Sequence, residues 1–287
     1  MQLPKESSVN NLCDIVVQLN SHPEPTPAWA IDAAADIAHR FGARLSVGLC
    51  QVDIPDVSNW LARQLVRSDE VIAAENLKSQ EAARALLERF HEAVPADMRG
   101  EEIIVHCPAL VSHWKLAESI RSYDLIVVPV YGHAETRSVI EGLAFETGRP
   151  VLALPPAGGA GHTFRRIVVG WDNSRAAARA LADSLPFCAK AETVVIVRVV
   201  DEKELSQEAD PAIVVSHLAA HGIEAVTQDV PAGDLDAGQA LLDHCRDMMG
   251  DLLVMGAYGH SRAREFILGG ATRSVLAELE LPILLSH

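Results

Sequence analysis

The sequence predicts two successive α/β domains, each a doubly wound, five-stranded and mostly parallel sheet with helices on both faces. Three observations predict this. The chain has 287 residues of which 49% are hydrophobic, enough for two units of roughly 150 residues that each bury a core. Short apolar runs alternate with helix-forming stretches, the signature of strands joined by helical crossovers. The chain also repeats itself, in order, at long range.

The repeat is read from four pairs of segments. Asp124-Leu-Ile-Val-Val-Pro-Val-Tyr-Gly-His133 matches Asp251-Leu-Leu-Val-Met-Gly-Ala-Tyr-Gly-His260 at an offset of 127 positions. Ile15-Val-Val17 matches Ile167-Val-Val169 at 152, Thr136-Arg-Ser-Val139 matches Thr272-Arg-Ser-Val275 at 136, and Pro150-Val-Leu152 matches Pro282-Ile-Leu284 at 132. Common order and a long period mean a duplicated domain, not a short-repeat solenoid. Pro155-Pro-Ala-Gly-Gly-Ala-Gly161 has linker composition. The expected division is therefore a first domain at 1–156, a linker at 157–162 and a second domain at 163–287.

The elements of the second half follow in order. Arg166–Gly170 is a short β-branched run, and Ala176–Ala182 is a good helix former. Thr193–Val200 is almost continuously apolar, as a parallel strand covered on both faces must be. A helix near Ile213–His221, a strand near Ala225–Val230 and a helix near Ala237–Met249 come next. Leu252–Met255, a helix starting near Thr272, and Pro282–Leu285 complete five strands. In such sheets ligands bind beyond the carboxyl ends of the strands, at the switch point.

Composition narrows the partners. The net charge is −15 with no basic stretch, which argues against nucleic acid and anionic membrane. The first residues lack the apolar core of a secretory signal, and no apolar run approaches the ~20 residues of a membrane span. Five scattered cysteines without a Cys-x-x-Cys pair read as reduced thiols of a cytoplasmic protein.

The segment Met255–Ser274 carries the strongest chemical signal. Gly256 and Gly259 frame a turn directly after a strand, and Gly269-Gly270 opens the next helix with Thr272 in its first turn. Glycine permits close backbone approach, and a helix amino terminus offers unpaired N–H groups and a partial positive charge suited to phosphate. This Gly-x-x-Gly, nine-residue, Gly arrangement resembles the phosphate-binding pattern of the universal stress protein family. The resemblance spans nearly the whole chain as two copies of that Rossmann-like fold, so the sequence is similar to a tandem-domain universal stress protein.

The resemblance implies an adenine-nucleotide site in the second half, with ATP, accompanied by Mg2+, as the cofactor. It implies that Asp172 borders adenine and ribose and that Val199 and Met255 line the base. Gly256, Gly259, Gly269, Gly270, Ala271 and Thr272 then hold ribose and phosphate. The pattern departs from the family at Gly270, where a Ser or Thr is usual. The lost hydroxyl donor to a charged group is worth roughly 1.5–3 kcal/mol, unless Thr272 compensates.

The first half has lost the corresponding motif. The rise in offset from 127 to 136 removes nine residues where the phosphate loop would lie. Pro129 stands at the place of Gly256, and Asn20 at that of Asp172. The first domain is therefore expected not to bind ATP in the family's manner.

Other candidates are weaker. His217 and His221, four apart on one helix, share a face but lack a third metal ligand, so no metal site is assigned. His133 and His260 read as structural loop histidines. Arg262 and Arg264 fit phosphate contact and a solvated loop equally well. Met248-Met249 reads as packing. No nucleophile–base set and no Walker lysine are found, so no catalytic residue is assigned and any ATP hydrolysis should be slow.

The expectation is a nucleotide-binding stress or regulatory protein, able to form a homodimer and to act on an unidentified protein partner. The last strand of each half, near Val151–Leu154 and Ile283–Leu285, is expected at the join. The alternatives are an interaction module that binds no nucleotide and, less favoured, an adenine-nucleotide hydrolase.

Overall fold

The computed structural model describes residues 11–55, 68–108, 111, 113–132, 135–156, 161–200, 211–257 and 270–287. Their contacts form two compact units, one of residues Cys13–Thr147 and one built on Gly148–His287.

The first unit runs β1 (Asp14–Asn20), α1 (Ala28–Phe41), β2 (Arg44–Asp53), α2 (Ser68–Ala93), β3 (Arg99–Pro108), α3 (His113–Ile120), β4 (Leu125–Pro129) and α4 (Glu135–Thr147). Its strands lie in the order β3-β2-β1-β4, and β1 is parallel to both neighbours. β1 and β4 are buried almost throughout, which is why they read as unbroken apolar runs. α1 buries Ala30, Ile31, Ala34, Ile37, Ala38 and Phe41, the three-to-four spacing of one helical face. It stops at Gly42, whose φ of 65° is the left-handed cap that glycine adopts without strain.

The second unit runs β5 (Val151–Leu154), β6 (Arg166–Gly170), α5 (Arg175–Cys188), β7 (Thr193–Val200), α6 (Ala212–Ala220), β8 (Val226–Pro231), α7 (Ala237–Asp247), β9 (Leu252–Gly256), α8 (Gly270–Ala277) and β10 (Ile283–Ser286). The order is β5-β10-β9-β6-β7-β8. β5 runs antiparallel to β10, and the pairings from β10 to β8 are parallel. Parallel α/β architecture with helical crossovers is thus the fold, as the alternation of runs predicts.

The contact boundary at Thr147/Gly148 differs from a division within 157–162. Val151–Ala153 pair with Ile283–Leu285, so β5 counts with the second unit although its sequence repeat places it fifth in the first half. Of the expected linker, 157–160 lie outside the described residues.

The duplication is visible bond by bond. Ile15, Val16 and Val17 pair with Leu125, Ile126 and Val127, while Ile167, Val168 and Val169 pair with Leu252, Leu253 and Val254. These registers preserve the offsets of 152 and 127 read from the sequence. Asp124 accepts the backbone N–H groups of Cys13 and Asp14 at 2.9 and 3.0 Å. Asp251 accepts those of Arg165 and Arg166, both at 2.8 Å. The repeated aspartate is therefore a clamp on the start of the first strand of each half. Asp251→Ala is expected to cost roughly 1.5–3 kcal/mol by removing a charged acceptor, read as a lower urea midpoint.

Candidate functional site

The switch point of the second unit lies between β6 and β9, because the chain leaves β6 toward β7 and β8 and returns to β9 and β10. Register decides which side chains meet there. Gly170 pairs with Val197 and Val168 pairs with Leu253. Paired residues of parallel strands share a face, and residues two apart on one strand do too. Val199 and Met255 therefore lie on the face of Gly170. A Cβ at Gly170 would stand 2.9 Å from Leu241 Cδ1 of α7, so this is the face covered by α7. Met255 is 5% exposed, while Val199 is half-buried at the open end of β7. They form an apolar lining.

Asp172 follows β6 at the crevice and is exposed. Its Oδ1 accepts the Ser174 backbone N–H at 2.9 Å. Asn173 between them has φ 59°, a left-handed turn that asparagine tolerates better than most residues. Ser174 caps α5 by accepting Ala177 N–H at 3.0 Å. The turn thus sets Asp172 at the rim, with the chain around it fixed by local hydrogen bonds.

Among the described residues α8 runs from Gly270, with Ala271 and Thr272 following. Gly270 has open space: a Cβ there meets nothing within 4 Å. Thr272 is 2% exposed. Gly259, Gly269, Arg262, Arg264, His133 and His260 lie outside the described residues.

Gly256 has a structural reason of its own. A Cβ there would fall 2.5 Å from the Ala176 carbonyl carbon and press on the Ala177 nitrogen, both backbone atoms at the start of α5. Its lack of a side chain lets α5 seat on β9, on the face opposite Met255. Asp236 and Ser274 were not singled out by sequence, yet they tie α7 to α8: Ser274 Oγ donates to Asp236 Oδ2 at 2.6 Å. The signal that could have found Asp236 is the capping pattern Asp236-x-x-Gln239, which the structure realises in full.

The corresponding crevice of the first unit is filled by its own chain. Asn20 is 8% exposed; its Oδ1 accepts Gln18 Nε2–H at 2.6 Å and its Nδ2 donates to the Tyr131 hydroxyl at 3.4 Å. Tyr131 also lies 2.9 Å from Thr26 Oγ1, and Thr26 Oγ1 accepts the Asn20 backbone N–H at 2.8 Å. Burial pushes the Tyr131 phenol above its ordinary range, opposed by its hydrogen bonds to Thr26 and Asn20. A neutral amide satisfied in this way is stable where a buried carboxylate would need a counter-charge.

His217 of α6 and His221 just after its end are both exposed and do meet, with ring centroids 4.8 Å apart. Among the described residues no group of three or more His, Cys, Asp or Glu could hold a metal. A recess of about 700 Å³ lined by Val194, Val215, Ala219, Ile223 and Val226 lies at the amino ends of β7 and β8, the far end of the strands from this crevice. None of the cysteines is disulfide-bonded, and only Cys13 is exposed. Burial pushes the Cys188 thiol up to about 11 and that of Cys245 up to about 12. A colorimetric thiol reagent should therefore titrate one thiol per native chain rapidly and five after denaturation.

No helix of the described residues is long and apolar enough to cross a membrane. The profile of the universal stress protein family matches residues 163–287. A universal stress protein of Synechocystis sp. is 42% identical over 48 residues, 17% of this chain and 17% of that relative's length. Over nearly the full chain, the fold is similar to that of a universal stress protein from Archaeoglobus fulgidus (TM-score 0.68, 18% identity, 94% of this chain and 97% of the other). It is also similar to a functionally unknown protein from Pseudomonas aeruginosa PAO1 (TM-score 0.55, 14% identity, 96% and 93%).

Proposed function

We propose that this chain, which belongs to the universal stress protein family through residues 163–287, binds an adenine nucleotide in its second half and works as a regulatory protein. The observation that carries this reading is the arrangement at the β6/β9 switch point. Val199 and Met255 lie on one face near the carboxyl ends of β7 and β9, Asp172 is exposed just after β6, and α8 follows β9 in the chain. The lining suits a purine, the carboxylate suits ribose hydroxyls, and the helix end suits phosphate. Gly259 and Gly269 complete the set by motif. Mg2+ would arrive bound to the phosphates of ATP. Hydrolysis is expected to be slow, because the sequence provides no Walker lysine to stabilise charge on the transferring phosphoryl group.

The unlinked thiols support a reducing, cytoplasmic setting. Homodimerisation and a protein partner through which the bound state is read belong to the same proposal.

The test is calorimetric titration of the full chain with MgATP. Isolated halves are unsuitable, because residues 163–287 alone would leave β10 without its β5 partner. Binding at one site per chain is expected, with Asp172→Ala weakening it about tenfold through loss of roughly 1.4 kcal/mol. No heat with wild type, together with no adenine nucleotide released on denaturation, would leave the interaction-module reading in its place.

A further inference from the structure

α8 is described over Gly270–Ala277. Two contacts tether it to the amino end of α7. Gly238, in the first turn of α7, lies against Ala271: a Cβ at Gly238 would stand 2.9 Å from Ala271 Cα. Asp236 caps α7 with one carboxylate oxygen, Oδ1, which accepts Gly238 N–H at 2.8 Å and Gln239 N–H at 3.1 Å. Its other oxygen, Oδ2, accepts from Ser274 Oγ at 2.6 Å. Ser274 Oγ is also 3.0 Å from the Gly270 carbonyl, but a hydroxyl has one proton, and the shorter, charged acceptor holds it. Gln239 Oε1 closes the box by accepting Asp236 N–H at 3.3 Å.

We infer that Asp236, acting through Ser274, is a positioning residue that fixes the amino end of α8 and thereby tunes how tightly the crevice holds the anionic part of its ligand. This rests on the nucleotide reading above. The carboxylate is turned toward the N–H groups of α7 and the Ser274 hydroxyl, so its charge is spent within the protein. The gain for the ligand is pre-organisation: backbone donors already in place cost no ordering on binding.

The test uses the full chain and two readouts, amide hydrogen exchange across residues 270–274 without ligand and titration with MgATP. Ser274→Ala and Asp236→Ala are expected to speed exchange in the first turn of α8 about fivefold and to weaken MgATP binding by a similar factor. Asp236→Asn keeps one oxygen for the α7 N–H groups and puts an NH2 donor against Ser274 Oγ, which then accepts and gives its own proton to the Gly270 carbonyl, so this variant should stay within about twofold of wild type. Thr163→Ala removes a hydroxyl bonded to Asp251 at the opposite end of the strands, and it should lower the melting temperature while leaving both readouts unchanged. Unchanged exchange in Ser274→Ala and Asp236→Ala overturns the clamp. Altered exchange with MgATP affinity equal to that of Thr163→Ala overturns the positioning role. Altered exchange in a chain whose wild type binds no MgATP overturns the nucleotide reading instead.

Discussion

Replacing Gly270 by serine is expected to tighten MgATP binding about 10- to 100-fold. The position opens α8, and a new Cβ would meet nothing within 4 Å, so the hydroxyl enters without displacing anything. A hydrogen bond to a charged group contributes roughly 1.5–3 kcal/mol, and each 1.4 kcal/mol is a factor of ten in affinity. Titration of Gly270→Ser beside Gly270→Ala separates the hydroxyl from the loss of glycine. Equal affinities for the two variants and wild type would mean that phosphate does not lie at this helix end.

Gly256→Ala should behave in the opposite way. The added methyl would meet the backbone of Ala176 and Ala177, with the Ala176 carbonyl carbon at 2.5 Å. Backbone at the start of a capped helix cannot rotate aside as a flexible side chain can. A cost of about 3 kcal/mol follows from overpacking of this kind, or a fall of roughly 10 °C in the melting temperature of a unit this size. Gly270→Ala should shift it by less than about 2 °C. A Gly256→Ala chain as stable as wild type would show that α5 can withdraw from β9 and that the glycine answers to a ligand alone. The two glycines belong to one motif, yet they meet different physical demands.

Much of the fold was legible because its signals are local. β6 and β7 fall on the residues their apolar runs mark, Arg166–Gly170 and Thr193–Val200. α5 extends to Cys188, well beyond Ala182, and carries Pro186 within it; burial of Leu185, Phe187 and Cys188 outweighs a residue that ordinarily breaks a helix. The strand register reproduces the internal repeat. The site was legible in part. Asp172, Val199 and Met255 fall at or just after the carboxyl ends of β6, β7 and β9, while Asp236 and Ser274 were missed because their bond joins residues 38 positions apart. The filling of the first crevice by Tyr131 was missed for the same reason, its partner Asn20 being 111 positions away.

By itself, the sequence determined the alternation of strands and helices, the duplication and the loss of a nine-residue loop from the first copy. Each of these is written in periodicity, composition and spacing along the chain. Only the tertiary structure decided that Gly256 seats a helix and that Asn20 is sealed under a tyrosine. Those outcomes depend on which surfaces meet after the chain has folded, and distance along a sequence carries no record of that.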